Sequence, residues 1–86
     1  MMLRLMAVTN GPDVTLGVEG ELVADWVALM EEECQRLRTT SKTLFLDLSG
    51  VTYVDVNAVQ RLRALASAGV TLVRCPPLIR LMLAED

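Results

Sequence analysis

Apolar residues recur along this chain with two periods, and the places where the period changes divide it into elements. Leu3–Thr9 (LRLMAVT) alternates roughly apolar and polar, which predicts a strand. Val14–Val18 predicts a second, with Val14, Leu16 and Val18 on one face. Asn10-Gly11-Pro12-Asp13 between them is a hairpin turn, so these two strands are antiparallel. Glu19-Gly20-Glu21 closes the second strand. Leu22–Arg38 then changes to helical spacing: Val23, Val27, Met30, Cys34 and Leu37 form one stripe, flanked by a row of Leu22, Trp26 and Leu29.

Thr39–Lys42 is a loop. Thr43–Leu48 is apolar almost throughout, as expected of a central parallel strand buried on both faces. Ser49-Gly50 predicts a turn, and Val51–Val54 a second apolar segment. From about Asn57 the period is helical again, through Val59, Leu62, Leu65 and Ala66. Gly69 stands where a left-handed cap ends such a helix. Val70–Cys75 predicts a fourth strand, stopped by Pro76-Pro77, and Pro77 suits the first turn of a short helix over Leu78–Ala84. The order ββαβαβα, with right-handed crossovers, predicts an α/β fold. A small mixed β-sheet would begin with an antiparallel hairpin, continue with parallel strands and carry packed helices.

Eighty-six residues make a single domain, 1–86. A hydrophobic fraction of 52% with 22% charged residues excludes disorder for most of it. The net charge is −3, and no Lys/Arg cluster is interleaved with aromatics. Nucleic acid is therefore disfavoured as a partner. No apolar run approaches the ~18 residues of a membrane span, and Met1-Met2-Leu3-Arg4 does not open a signal peptide. A cytoplasmic location is expected. There is no His and no CxxC motif, which leaves no zinc ligand set, no Cys-His pair and no Ser-His-Asp triad. Cys34 and Cys75 read as small buried hydrophobes. Glu31-Glu32-Glu33 fans out around the first helix as a solvated face and cannot converge on one ion. No metal or cofactor is expected.

The candidate site lies at the mouth of the second helix. Asn57 as N-cap with Gln60 at N3 forms a capping-box-like pair, and Asp55 sits close to the positive helix end. A cap of this kind stabilises by about 1 kcal/mol. The same loop, with Tyr53, Val56 and the exposed helix positions Gln60, Arg61 and Ala64, forms a candidate partner surface. A carboxylate at a helix N-terminus is a poor general base. No second acid, His or Lys is placed to pair with it, and no Gly-rich loop is present to cradle a phosphate. Catalysis is therefore not expected. Asp47 is expected to hydrogen-bond locally, and Trp26 to be partly buried. Leu78, Ile79, Leu81, Met82 and Leu83 nearly encircle the last helix, which points to self-association through Leu78, Ile79, Leu81 and Met82.

The order of elements, the Gly20-Glu21-Leu22 entry to the first helix and above all LFLDLSGVTYVDVNAV resemble STAS domains. These are the family of bacterial anti-sigma-factor antagonists and of the cytoplasmic tails of sulfate transporters. The resemblance spans nearly the whole chain. It implies a non-enzymatic, protein-binding signalling module of transcription regulation. The implied partner is a kinase-like anti-sigma factor or a transport-complex component. In the antagonists, the Ser after the Asp at the helix mouth is phosphorylated. Here Asp55 matches the Asp, Val56 occupies the phosphoacceptor position, Asn57 follows, and Ala58 replaces the usual Gly. Valine has no hydroxyl, so a phosphoacceptor is absent at the family position. Ser49, Thr52 and Ser67 are nearby hydroxyls off the motif. Two other readings stand beside this one: an assembly subunit that associates through its terminal helix, and a carrier of a small ligand, a nucleotide or a lipid.

Overall fold

The computed structural model describes residues 2–84. They form β1 (Leu3–Asn10), β2 (Asp13–Leu22), α1 (Asp25–Arg38), β3 (Thr43–Val54), α2 (Val56–Ser67), β4 (Thr71–Val73) and α3 (Pro77–Ala84). The sheet has four strands in the order β1-β2-β3-β4. β1 and β2 are antiparallel, joined across Gly11-Pro12 so that Asn10 faces Asp13. β2–β3 and β3–β4 are parallel. This is the small mixed α/β sheet that the hydrophobic pattern predicts.

One face of the sheet carries the core. Val14, Leu16 and Val18 of β2 and Leu44, Leu46 and Leu48 of β3 are buried. They form one cluster with Val27, Met30, Cys34 and Leu37 of α1 and with Ala58, Val59, Leu62 and Leu65 of α2. Each Val, Leu and Met side chain among them contributes roughly 1.5–3 kcal/mol by leaving water. α3 is held less firmly. Ile79 is its one buried residue. Its last turn is tied to α2 by Arg63, whose Nε donates to the Leu83 carbonyl at 3.0 Å and whose Nη2 donates to that of Met82 at 2.8 Å. These carbonyls have no partner inside the helix, so a cation satisfies both their hydrogen bonds and the helix dipole.

The α1 stripe lies where its spacing places it, apart from Val23, which precedes the helix. Gly69 is left-handed at φ 106°, and Pro77 opens α3. Three boundaries and one burial pattern differ from the sequence expectation. β2 runs on through Glu19-Gly20-Glu21 to Leu22, which pairs with Val54, so α1 starts at Asp25 and not at Leu22. Ser49-Gly50 is not a turn but the middle of β3. The Ser49 N–H bonds to Asp47 Oδ1 at 2.9 Å, and Gly50 leaves the space that the Glu19 side chain crosses. β4 is only Thr71–Val73, because Arg74 turns left-handed at φ 51°. Finally, Thr43–Leu48 is not buried on both faces. On its second face Phe45 is half-buried, and Asp47 is covered by Arg74 rather than by a helix.

Candidate functional site

Asp55 closes β3 and opens α2. Its backbone is extended (φ −93°, ψ 177°), and its side chain is the N-cap of α2: Oδ1 accepts the Ala58 N–H at 2.8 Å. Asn57 is therefore not the cap. Val56 already has helical backbone, which leaves Asn57 exposed in the first turn and Gln60 outside any capping pair. The other carboxylate oxygen of Asp55 accepts the Ala24 N–H at 3.0 Å. Ala24 is the N-terminal flank of α1, has no capping side chain of its own and sits at φ 51°. The Asp55 N–H in turn donates to the Leu22 carbonyl at 3.2 Å. One acid thus fixes the entries to both long helices.

Beside Asp55 lies an open groove of about 430 Å³, lined by Thr52, Tyr53, Val54, Asp55, Val56, Leu78, Ile79 and Met82. Tyr53 is exposed on its wall, and Val56 and Leu78 are 71% and 70% exposed. The Thr52 hydroxyl is engaged, donating to the Gly20 carbonyl at 3.2 Å. Ser49 and Ser67 are exposed.

The surface expected from sequence divides here. Tyr53, Asp55 and Val56 border the groove shared with α3. Arg61 turns instead toward α1, its Nε 3.8 Å from Glu31 Oε1. Asn57, Gln60 and Ala64 are exposed along α2. Thr52, Leu78, Ile79 and Met82 join the site only in the fold. No local pattern links α3 to a loop more than twenty residues earlier, and the apolar circumference of α3 was the one hint. Of the residues expected to support self-association, Ile79 is buried against its own core and Met82 is half-buried. Leu78 and Leu81 remain exposed.

On the opposite face of the sheet, Arg74 Nε donates to Asp47 Oδ2 at 3.0 Å, and Nη2 reaches the same oxygen. Burial pushes the Asp47 carboxyl upward. The Ser49 N–H and the Arg74 guanidinium outweigh it and hold the group below the usual carboxylate value. Burial pushes the Cys34 thiol up to about 11, and that of Cys75 upward as well. Among the described residues no three His, Cys, Asp or Glu side chains converge on a metal position, and no helix is long and apolar enough to cross a membrane.

No family model and no curated protein matches the sequence. Solved structures do match its shape. The anti-sigma factor antagonist SpoIIAA, in its unphosphorylated form, superposes with a TM-score of 0.68 at 18% identity, over 93% of this chain and 79% of SpoIIAA. The crystal structure of Mglu gives a TM-score of 0.68 at 23% identity over 84% of this chain. The match spans only 19% of the length of Mglu. Element order, strand directions and these superpositions agree: the chain has the STAS-like α/β fold of SpoIIAA.

Proposed function

We propose that this chain is a non-enzymatic regulatory module that binds a protein partner through the β3–α2 junction, Tyr53–Asn57, and the adjoining side of α3. In this reading it is not switched by phosphorylation at the helix mouth. The observation that carries it is Val56. It stands one residue after the capping Asp55, is 71% exposed at the groove rim and has no hydroxyl. The likeness in fold to an anti-sigma factor antagonist supports the class of partner, a kinase-like anti-sigma factor or a transport-complex component. Exposed aromatic and apolar side chains on a rigid, capped frame are what a docking surface needs.

The test is calorimetric titration with such an anti-sigma factor from the source cell, with and without ATP. Binding that is unaffected by ATP and weakened at least tenfold by Tyr53→Ala or Val56→Asp supports the proposal. Phosphate incorporated at a hydroxyl beside the helix mouth (Ser49, Thr52 or Tyr53), or affinity unchanged in both variants, refutes it. The groove favours a second reading, a small apolar ligand seated between Tyr53 and Leu78. A rise in melting temperature with a fatty acid would support that reading, and its absence at high ligand concentration would remove it.

A further inference from the structure

The sheet ends in two unlike edges. β4 is three residues long and is followed by Arg74 and by Pro76-Pro77, features that blunt an edge strand. β1 has no such protection. Its eight residues hold unbroken register against β2, from Leu3 facing Gly20 to Asn10 facing Asp13, with no bulge. It contains no Pro and no Lys, and among the described residues no strand lies beyond it. Its single charge, Arg4, is turned back to Glu19 of β2 at 3.6 Å. From Met6 to Thr9 every residue is exposed, although the side chains alternate between the two faces. Met6 and Val8, on the outer face, are 56% and 58% exposed. On the helix face Leu3 and Leu5 pack against the core, but Ala7 and Thr9 are exposed.

We propose that β1 pairs antiparallel with β1 of a second copy, joining the two four-stranded sheets into one. A second copy is the fitting occupant because the edge complements itself. A two-fold axis through Ala7 sets Met6 against the partner's Val8 on the outer face, and Leu5 against the partner's Thr9 on the helix face. Both exposed apolar residues of both copies are then covered together. Arg4 meets the partner's Asn10, whose neighbour across its own hairpin is the partner's Asp13. The positive charge is carried toward an acid, and no like charges face each other. From Arg4 to Asn10 the free main-chain groups of β1 gain a ladder. Seven paired residues, Arg4–Asn10, measure about 24 Å, so the pairing runs most of the width of a molecule 32 × 28 × 19 Å across.

Sedimentation equilibrium of the full chain over a concentration series tests this. The wild type is expected to reach twice the chain mass. Met6→Lys and Val8→Lys should sediment at the single-chain mass, with circular-dichroism melting curves that stay cooperative. Leu81→Lys, on the exposed side of α3, should leave the doubled mass intact. A wild type that stays at the single-chain mass throughout the micromolar range overturns the proposal. So does a doubled mass that survives Val8→Lys, or one abolished by Leu81→Lys and not by the β1 variants. Because the partner titration reads the Tyr53–α3 surface, failure of that experiment and failure of this one are independent.

Discussion

Asp55 and Ala24, thirty-one residues apart, are joined by a 3.0 Å hydrogen bond in which the Ala24 N–H donates to the Asp55 carboxylate. The same carboxylate caps α2 through the Ala58 N–H, so its loss releases two helix entries together. Asp55→Ala should lower stability by roughly 1–2 kcal/mol, the range for an N-cap removed. Asn57→Ala should stay within about 0.5 kcal/mol, as for an exposed residue without a structural bond. Urea denaturation of the two variants side by side distinguishes them. An Asn57→Ala loss as large as that of Asp55→Ala would return the capping role to Asn57.

Ala24 itself is in a backbone region that favours glycine, with φ 51° and ψ −125°. A non-glycine residue held there costs on the order of 1 kcal/mol or more. Ala24→Gly should therefore raise the urea midpoint, despite the extra freedom that glycine gives the unfolded chain. A midpoint lowered by the substitution would show that the strain is not significant.

The Asp47–Arg74 pair predicts a pH signature. The Asp47 carboxyl titrates lower in the folded chain than in the unfolded one. Its contribution is therefore complete above the unfolded value of about 3.9 and is lost as pH falls through the folded value. The stability difference between wild type and Asp47→Asn should be flat from neutral pH to about pH 5 and should narrow below about pH 4. Urea midpoints across that range give the difference. A gap that widens on acidification would contradict the pairing.

α3 depends on few contacts, and Arg63 supplies two of them. Arg63→Ala should speed amide hydrogen exchange across α3 while leaving β2 and β3 protected, because local openings follow local stability. The Ile79→Ala variant should show the same pattern and lose about 2 kcal/mol or more. Exchange that rises equally in the central strands would mean that α3 is not a separate unit.

The two cysteines should differ toward a thiol reagent at neutral pH. Cys34 is buried and its thiol is pushed up to about 11, whereas Cys75 is half-buried beyond the end of β4. Cys75 should react first, and Cys34 only on unfolding, since the thiolate is the reactive species. Mass spectrometry of the labelled peptides resolves the order.

The elements legible in the sequence are those whose side chains repeat on one face. The stripe Val27-Met30-Cys34-Leu37, the alternation in β2, the cap at Gly69 and the start at Pro77 are local signals, and each marks its element. The errors fall where a distant partner decides. Leu22 looks helical by spacing, yet it pairs with Val54. Ser49-Gly50 looks like a turn, yet Asp47 and the crossing Glu19 keep it in the ladder. Asn57 and Asp55 both suit an N-cap by residue type, and only the register of the first helical turn chooses between them. The site was half legible for the same reason. Tyr53, Asp55 and Val56 are contiguous, whereas Leu78 and Met82 reach them only because α3 folds back against α2.

The β2–β3 ladder slips register twice, between Gly17 and Glu19 and again between Gly20 and Glu21. Bulges bend a strand and increase its twist. Here they fall between the part of β3 that holds Leu44, Leu46 and Leu48 and the part that aims Tyr53 and Asp55. The twist at these slips sets the bearing of Tyr53 and Asp55 relative to the strand segment that holds Leu44 and Leu46. At that end of β3 the exposed Thr52 and Tyr53 can vary without rebuilding the interior, whereas Leu22 and Val54, buried beyond the second slip, cannot.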